Sequence, residues 1–330
     1  MKGSKRIARA EVTEPSPPIA GALDRLLDLA VLPGFSSIGY EVRRRAFGWK
    51  PPAVSGRTVM VTGANAGLGR AASTTLARGG ARVILVCRDR EKGEEALRAV
   101  ASVASLEPEL LVADLSSLAS VRELASTWLG WDEPLDVLVN NAGVMPPGRV
   151  LTEEGFELTF ATNVLGPYLL SRLLMPSLEQ GSDPRIVMVS SGGMYTSRFS
   201  LSDPQLERRE YSPTEFYAHT KRAEVMLADE FDLRFRPTAC SMHPGWASTP
   251  GVASSLPRFN RLMGPVLRSP EAGADTIAWL AGATPAEAPG GLFYEDRRPR
   301  PKYRLPGTRE TPADRRQLFE LCEELTGTTD

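Results

Sequence analysis

The sequence contains few cysteines and histidines, which restricts the metal and redox chemistry that it can support. Its three cysteines, Cys87, Cys240 and Cys322, are spread over 330 residues and match neither a zinc-site spacing nor an even-numbered disulfide framework. The two histidines, His219 and His243, belong to no HExxH-type pattern. We therefore expect no metal site, a reducing compartment and a cytoplasmic location.

Long apolar runs and a strong net charge are absent as well. Residues 19–38 form the most apolar early stretch, but charged residues and a proline interrupt it, so no membrane-spanning helix is expected. No uninterrupted apolar run follows the basic first residues, and a secretory signal is therefore not supported. The chain has 39 lysines and arginines against 40 aspartates and glutamates. Because this balance leaves no global basic field, we expect no nucleic-acid partner.

The first 55 residues are predicted to form an N-terminal extension. Residues 1 to about 18 are polar and end in a proline-rich run, which predicts a flexible lead-in. Within residues 22–32, Leu23, Leu26 and Ala30 recur at helical spacing, and three consecutive arginines follow at positions 43–45. This pattern favours a short amphipathic helix that packs on the main domain with a solvated basic end. Contact with a membrane surface is the alternative.

From Arg57 onward, short β-branched runs alternate with helical segments, a pattern that predicts βαβ units. The predicted strands are Thr58–Thr62, Arg82–Cys87, Leu110–Ala113, Val137–Asn140, Ile186–Ser190, Ala239–His243 and Leu292–Tyr294. We predict one α/β domain over residues 56–330, with a single Rossmann-type, doubly wound, mainly parallel sheet of about seven strands. Helices should cover both faces, and a C-terminal helix should end the domain. The irregular segments 192–213 and 246–270 are predicted as loops that shape a substrate pocket at the carboxyl ends of the strands.

A glycine-rich turn follows the first predicted strand. Its candidate cofactor-binding residues are Gly63, Asn65, Ala66, Gly67, Leu68 and Gly69. Glycines allow a tight turn and close backbone approach, so the N–H groups of the following helix can meet a pyrophosphate. Arg88 follows the second strand, where an arginine accommodates the 2′-phosphate of NADP and an acidic residue would bind the ribose of NAD. This favours NADP(H) as the cofactor, the alternative being a solvent-exposed arginine in a charged turn.

Tyr217 and Lys221 form a YxxxK pattern, which places a phenol and an ammonium on one face of a predicted helix. Reduction of a carbonyl needs a proton as well as a hydride, and a phenol can supply the proton. A nearby positive charge lowers the pKa of a phenol, so Lys221 is expected to lower the pKa of Tyr217 toward the physiological range.

The order of these motifs resembles the short-chain dehydrogenase/reductase family. The glycine spacing, Asp114, the run from Asn140 to Gly143, Asn163, Ser191, Tyr217 with Lys221, and Pro244-Gly245 occur in the order typical of that family. Further combinations between roughly Tyr40 and Leu325, such as Thr249-Pro250-Gly251-Val252, resemble one subgroup of the family.

The resemblance implies roles for individual residues. It implies a catalytic set of Asn163, Ser191, Tyr217 and Lys221, in which Ser191 binds the substrate oxygen and Asn163 holds a water that connects the lysine to solvent. It also implies a second set of cofactor-binding residues, namely Asp114, Leu115, Asn141, Ala142, Gly143, Tyr217, Lys221, Pro244, Gly245, Trp246 and Thr249. Ser190 and His243 are interpreted as structural, and His219 has no evident partner.

The sequence therefore predicts an NADP(H)-dependent oxidoreductase that interconverts a carbonyl and an alcohol on a small, hydrophobic substrate. Family resemblance makes a homodimer or homotetramer plausible. One alternative is a non-catalytic protein that senses NADPH or acts as a scaffold. Another is a peripheral membrane reductase of lipidic carbonyls, with an apolar pocket near Met145, Met194, Trp246, Phe259 and Met263.

Overall fold

The computed structural model describes residues 18–328, and their core is one eight-stranded sheet. The strands are β1 Thr58–Thr62, β2 Arg82–Cys87, β3 Glu109–Val112, β4 Val137–Asn140, β5 Arg185–Val189, β6 Thr238–Met242, β7 Phe293–Glu295 and β8 Arg298–Arg300. Their order is β3-β2-β1-β4-β5-β6-β7-β8, and only the pairing of β7 with β8 is antiparallel. Because the order reverses between β1 and β4, a crevice opens beyond their carboxyl ends.

Helices connect the strands and extend the chain at both ends. They are α1 Pro18–Leu29, α2 Val31–Phe35, α3 Ser37–Ala46, α4 Gly67–Arg78, α5 Arg90–Ala101, α6 Leu118–Leu129, α7 Leu158–Phe160, α8 Gly166–Leu173, α9 Met175–Gln180, α10 Pro213–Arg234, α11 Pro250–Ser255, α12 Pro257–Met263, α13 Pro270–Gly282 and α14 Pro312–Thr326. Ala161–Leu165 forms a π-helical turn, and Gly192–Thr196 and Gly264–Val266 form 3-10 helices.

The two faces of the sheet bury two separate apolar cores. Alternate residues of a strand point to opposite faces, so Met60 joins one core whereas Val59 and Val61 join the other. The first core contains residues of α6, α8, α10 and α14, and the second contains residues of α4, α5 and α13. This arrangement confirms the predicted doubly wound, mainly parallel sheet with helices on both faces.

Several sequence-based expectations differ from the structure in detail. The sheet has an eighth strand, β8, which the sequence did not predict. Residues 246–270 are largely helical, since α11, α12 and the second 3-10 helix lie there. The predicted flexible lead-in lies outside the described residues apart from Pro18, where α1 begins.

The helices α1, α2 and α3 are joined to the far end of the chain by buried charges. Arg43 is only 1% exposed, so the expected solvated basic end is wrong for this arginine. Its guanidinium donates to Asp24 at 2.8 Å and to Asp296 at 2.5 Å, and Arg268 donates to the same Asp296. Arg300 in β8 donates to both oxygens of Asp24. Burial of each charge is tolerated because every one has an opposite charge within hydrogen-bond distance.

Candidate active site

A cavity of about 640 Å³ lies beyond the carboxyl ends of β1, β4, β5 and β6. All but one of the predicted catalytic and cofactor-binding residues line it. These are Gly63, Asn65, Ala66, Gly67, Leu68, Gly69, Arg88, Asp114, Leu115, Asn141, Ala142, Gly143, Ser191, Tyr217, Lys221, Pro244, Gly245, Trp246 and Thr249. The exception is Asn163, which is fully buried and does not line the cavity. One concave site thus collects residues that are spread over nearly 190 positions of the sequence.

The glycine-rich turn forms a cradle between β1 and α4. Gly63 has a φ of +66°, and a Cβ at Gly69 would lie 2.2 Å from the carbonyl oxygen of Gly63, so the turn closes only around glycines. Ala66 caps α4 without a side-chain acceptor. The first N–H groups of α4 are therefore free to bind an anion. The residues present fit the pyrophosphate of a dinucleotide.

A hydroxyl that sequence reasoning missed holds the two halves of this cradle together. Thr62 Oγ1 accepts hydrogen bonds from the backbone N–H groups of Asn141, at 3.0 Å, and Ala142, at 3.1 Å. The Asn141 side chain donates to the Thr62 carbonyl at 2.8 Å. The ends of β1 and β4 are thus fixed to each other at the switch point of the sheet.

Two cations lie on the cavity wall after β2. Arg88 is exposed and makes no hydrogen bond or ion pair with the residues that the structure describes. Lys92 is held by Asp89, whose carboxylate lies 3.1 Å from the ammonium and also accepts the Lys92 backbone N–H at the start of α5. Because Asp89 is engaged in this cap, the charge that remains without a partner beside it is the positive charge of Arg88.

Asp114 closes the opposite side of this edge. Its Oδ1 accepts from the backbone N–H of Ser116 at 2.9 Å and from the Ser116 hydroxyl at 2.7 Å, while Ser117 caps α6. The carboxylate therefore has a structural use of its own, and its second oxygen, Oδ2, is not needed for the turn.

Tyr217 and Lys221 lie on one face of α10, with the Lys221 Nζ 5.4 Å from the centroid of the Tyr217 ring. Lys221 Nζ donates to the Val189 carbonyl at 3.0 Å, which positions the ammonium against the end of β5. Ser190 Oγ donates to the Lys221 carbonyl at 2.7 Å, in keeping with its predicted structural role. Ser191 follows at the cavity wall, where its Oγ accepts the N–H of Gly193 at 3.2 Å. The strand end and the helix are therefore held in fixed register.

The electrostatics of Tyr217 differ from the sequence-based expectation. Burial raises the pKa of the phenol, and this effect exceeds the lowering by the charge of Lys221. The charge of Glu224 raises the pKa further, while the Ser191 hydroxyl lowers it. The expected net lowering toward the physiological range is therefore wrong, although the contribution of Lys221 has the expected direction.

Asn163 sits in the π-helical turn and joins three parts of the site. Its Oδ1 accepts the Val144 N–H at 2.9 Å, and its Nδ2 donates to the Val144 carbonyl and to Thr220 Oγ1. Pro167, four residues on, has no N–H, so the Asn163 carbonyl lacks the donor that an α-helix would supply. The Asn163 side chain is thus committed to contacts within the protein.

The loop after β6 is held from outside the sheet. Gly245 has a φ of +72°, and a Cβ there would lie 2.2 Å from the Arg268 guanidinium. The Trp246 N–H donates to the Phe35 carbonyl at 2.8 Å, so α2 supports this stretch. Thr249 caps α11 through its Oγ1 and packs against Gly67. The predicted cofactor-binding stretch from Pro244 to Thr249 is therefore fixed by Phe35 and Arg268, which are distant from each other in the sequence.

Both histidines are buried and neutral. His243 Nδ1 accepts the Gly192 N–H at 3.0 Å, and burial together with Arg268 lowers its pKa to about 3. His219 was expected to lack a partner, but its Nε2 bonds to the Pro204 carbonyl at 3.1 Å and its ring stacks on Phe199. Burial lowers the pKa of His219 to about 4. Neither histidine is placed to transfer protons near neutral pH.

The predicted apolar lining is only partly present. Met145, Trp246 and Phe259 line the cavity, together with Val252 and Leu256. Met194 is instead fully buried in the core beside Phe35, and Met263 does not reach the cavity either.

The chain is similar in sequence to proteins of one family. The family model described as short chain dehydrogenase matches residues 57–202. Dehydrogenase/reductase SDR family member 12 from Bos taurus is 43% identical over 278 residues, which cover 82% of this chain and 87% of the relative. The chain belongs to the short-chain dehydrogenase/reductase family. The resemblance to a subgroup predicted from the sequence is thereby confirmed, and that subgroup is the one of family member 12.

Other members of the short-chain dehydrogenase/reductase family agree with this assignment. Human retinol dehydrogenase 14 is 35% identical over 283 residues, with coverage of 78% of this chain and 84% of the relative. A crystal structure of a short chain dehydrogenase from Escherichia coli CFT073, complexed with NADPH, superposes with a TM-score of 0.59 at 25% identity and covers 75% of this chain and 99% of that one. The chain is therefore an oxidoreductase of alcohol and carbonyl groups with an NAD(P)(H)-binding fold.

Proposed function

We propose that this protein is an NADP(H)-dependent reductase of small, hydrophobic carbonyl compounds, with Tyr217 as its acid/base. The observation that carries the proposal is the meeting of Ser191, Tyr217 and Lys221 at one wall of the cavity that also holds the glycine cradle. A cofactor in the cradle supplies the hydride when it is bound.

The residues of this chain provide the proton and the orientation. The Tyr217 phenol donates its proton to the carbonyl oxygen as the C–H bond forms, and the Ser191 hydroxyl donates a hydrogen bond to the same oxygen. The Lys221 ammonium stabilises the phenolate that remains. A water at the Asn163 carbonyl would pass a proton from solvent through Lys221 to the Tyr217 phenolate, so that the phenol is restored before the next turnover.

The preference for NADP(H) is supported by the free guanidinium of Arg88. A guanidinium binds a phosphate through two parallel hydrogen bonds, and Arg88 has no competing carboxylate within the described residues. Asp89, the acidic residue that follows Arg88 in the chain, is engaged with Lys92. An NADPH complex among the related structures agrees with this preference.

The hydrophobic character of the substrate is supported by the cavity wall beyond Tyr217. Val144, Met145, Trp246, Leu256 and Phe259 lie there, and Trp246 and Phe259 contact each other edge to face at 5.4 Å. Retinol dehydrogenase 14, a relative, is named for an apolar alcohol. We therefore expect the substrate to bring an apolar body and one carbonyl or hydroxyl group.

The decisive experiment compares Tyr217→Phe with the unaltered chain in NADPH oxidation over a panel of apolar aldehydes and ketones. Loss of the phenol should lower kcat on the order of 100-fold to 10,000-fold with NADPH affinity preserved, because general acid catalysis contributes that much. Tyr303→Phe is the matched control, since Tyr303 donates to Glu310 outside the cavity. Tight NADPH binding without turnover of any compound would instead favour a non-catalytic sensor or scaffold.

A second candidate, reduction of lipidic carbonyls at a membrane surface, is favoured by one observation. Leu26, Leu29 and Leu32 on α1 and α2 are 66%, 80% and 54% exposed. These helices also support the loop that contains Trp246, through the Phe35 carbonyl. A lipid-contacting surface would therefore lie on the same structural unit as one wall of the cavity.

A further inference from the structure

A buried carboxylate lies behind the lysine of the active site. Glu224 is one helical turn beyond Lys221 in α10, and its Oε1 lies 2.6 Å from the Lys221 Nζ. Both side chains are only 2% exposed. The Lys221 ammonium therefore has three neighbours: the Val189 carbonyl, the Tyr217 ring and the Glu224 carboxylate.

The carboxylate is not explained by stability. The cost of desolvating two charges cancels much of their attraction. Apolar side chains of similar size in place of the pair would therefore stabilise the fold at least as well. The second oxygen, Glu224 Oε2, is buried without a hydrogen-bond partner among the described residues, which adds to the cost. A group that is costly to bury and touches an active-site lysine indicates a functional role.

No other charged group competes for Glu224 within the described chain. Lys221 is the one charged residue whose field acts on the Glu224 carboxyl, whose pKa burial raises to about 8. Several titratable groups on the elements packed against α10 have partners elsewhere. These are Arg185 with the Ala283 and Ala288 carbonyls, Tyr195 with the Pro301 carbonyl, Cys240 with the Ile186 carbonyl, and Arg315 with Asp229.

We propose that Glu224 is a positioning residue of the catalytic pair, which holds the Lys221 ammonium and sets how strongly its charge acts on Tyr217. This inference rests on the proposed function. When Glu224 is protonated, the full charge of Lys221 favours the phenolate and Tyr217 is the stronger acid. When Glu224 is ionised, it cancels part of that charge, and Tyr217 holds its proton more tightly.

The sign of the effect can be measured in the pH dependence of alcohol oxidation, where Tyr217 must be deprotonated. Glu224→Gln keeps the shape of the side chain and removes the charge that raises the Tyr217 pKa. In the cofactor-saturated enzyme, the limb of kcat/KM that rises with pH should therefore move to lower pH, by on the order of one unit. Glu224→Met removes the same charge and should move the limb in the same direction.

Glu230→Gln provides the matched control. Glu230 is buried on the same helix and pairs with Arg234 at 3.0 Å instead of Lys221. The pH dependence of kcat/KM in Glu230→Gln should therefore coincide with that of the unaltered chain. A readout without substrate is the alkaline titration of tyrosinate absorbance, from which the titration of Tyr217→Phe is subtracted to isolate Tyr217. In Glu224→Gln the tyrosinate absorbance assigned to Tyr217 should appear at lower pH than in the unaltered chain.

The outcomes separate the two proposals. A pH profile and a tyrosinate titration that stay unchanged in Glu224→Gln and Glu224→Met, with activity still abolished by Tyr217→Phe, would overturn the role of Glu224 alone. Full activity in Tyr217→Phe would overturn the proposed function and this inference with it. A shift in Glu224→Gln that Glu230→Gln reproduces would also overturn the inference, because the effect would then belong to the net charge of the helix.

Discussion

Single residues at the cavity edge differ in how free they are to bind a ligand. Lys92 is tied to Asp89, whereas Arg88 projects from the end of β2 without a partner in the described chain. An arginine that is already free pays no cost of breaking an ion pair when a phosphate arrives. Selectivity between the two nicotinamide cofactors should therefore depend on this one side chain.

Replacing Arg88 by alanine should weaken NADPH binding by roughly ten-fold to one-hundred-fold, because a charged hydrogen-bonding group contributes about 1.5–3 kcal/mol. Binding of NADH should change little, because it lacks the 2′-phosphate. Titration calorimetry measures both affinities. Arg90→Ala is the matched control, since Arg90 is exposed two residues away and does not line the cavity. Equal losses for NADPH and NADH would contradict the assignment of Arg88 to the 2′-phosphate.

Residues whose roles follow from short local patterns were predictable from the sequence. The glycine turn and the pair Tyr217 and Lys221 are of this kind, because five to seven consecutive positions define them. Thr62 and Glu224 were not, since their roles depend on groups that only the folded chain brings near them. A threonine at the end of a strand or a glutamate in a helix has no distinctive pattern of its own.

At the scale of elements, the β7–β8 hairpin illustrates where sequence patterns fail. Its turn residues, Asp296 and Arg297, both have positive φ values, of 52° and 56°, where Asn-Gly or Asp-Gly is the usual sequence. Pro299 lies inside β8, and proline normally argues against a strand. The hairpin forms because Asp296 is fixed by Arg43 and Arg268, and Arg297 by Asp275. Tertiary ion pairs thus override the local preference, which explains why the eighth strand was missed.

Removal of one buried cation should test how strongly the N-terminal helices are attached. Arg43→Met would leave Asp24 and Asp296 with fewer positive partners and should lower the free energy of unfolding by about 3–5 kcal/mol. Urea denaturation measures this loss. The control is Arg44→Met on the same helix, since Arg44 forms a solvent-exposed pair with Glu41 and its loss should leave the free energy of unfolding nearly unchanged. Similar losses for both variants would mean that the buried cluster does not anchor these helices.

At the scale of the whole molecule, the exposed apolar residues are unevenly placed. Within residues 18–328 no helix has the length and apolar content to cross a membrane. The first two helices nevertheless expose Leu23, Leu26, Leu29, Val31 and Leu32 within ten positions. Because α3 is joined to the core through Arg43, deleting this region would disrupt buried charges as well as remove the apolar surface. Point substitutions are therefore the sharper test of membrane contact.

Leu29→Asp should reduce flotation of the protein with anionic liposomes if α1 contacts the lipid surface, because an aspartate cannot insert among acyl chains and is repelled by the headgroups. Leu233→Asp is the matched control, since Leu233 is 72% exposed on α10. Flotation that both substitutions leave unchanged, or no flotation of the unaltered chain, would remove the membrane candidate and leave the reductase proposal intact.

The ion pair between Arg43 and Asp296 also constrains how the protein is made. The two residues are 253 positions apart, so at a synthesis rate of about 5–20 residues per second the helices emerge roughly ten to fifty seconds before their partner. During that interval the β7–β8 hairpin does not yet exist, so Arg43 lacks Asp296 as its partner. Arg43 and Arg268 can fix the Trp246 loop fully only after Asp296 has been synthesised. Nonsense mutations between residues 143 and 296 should therefore yield products that contain the whole glycine cradle but lack the Asp296 that fixes this loop.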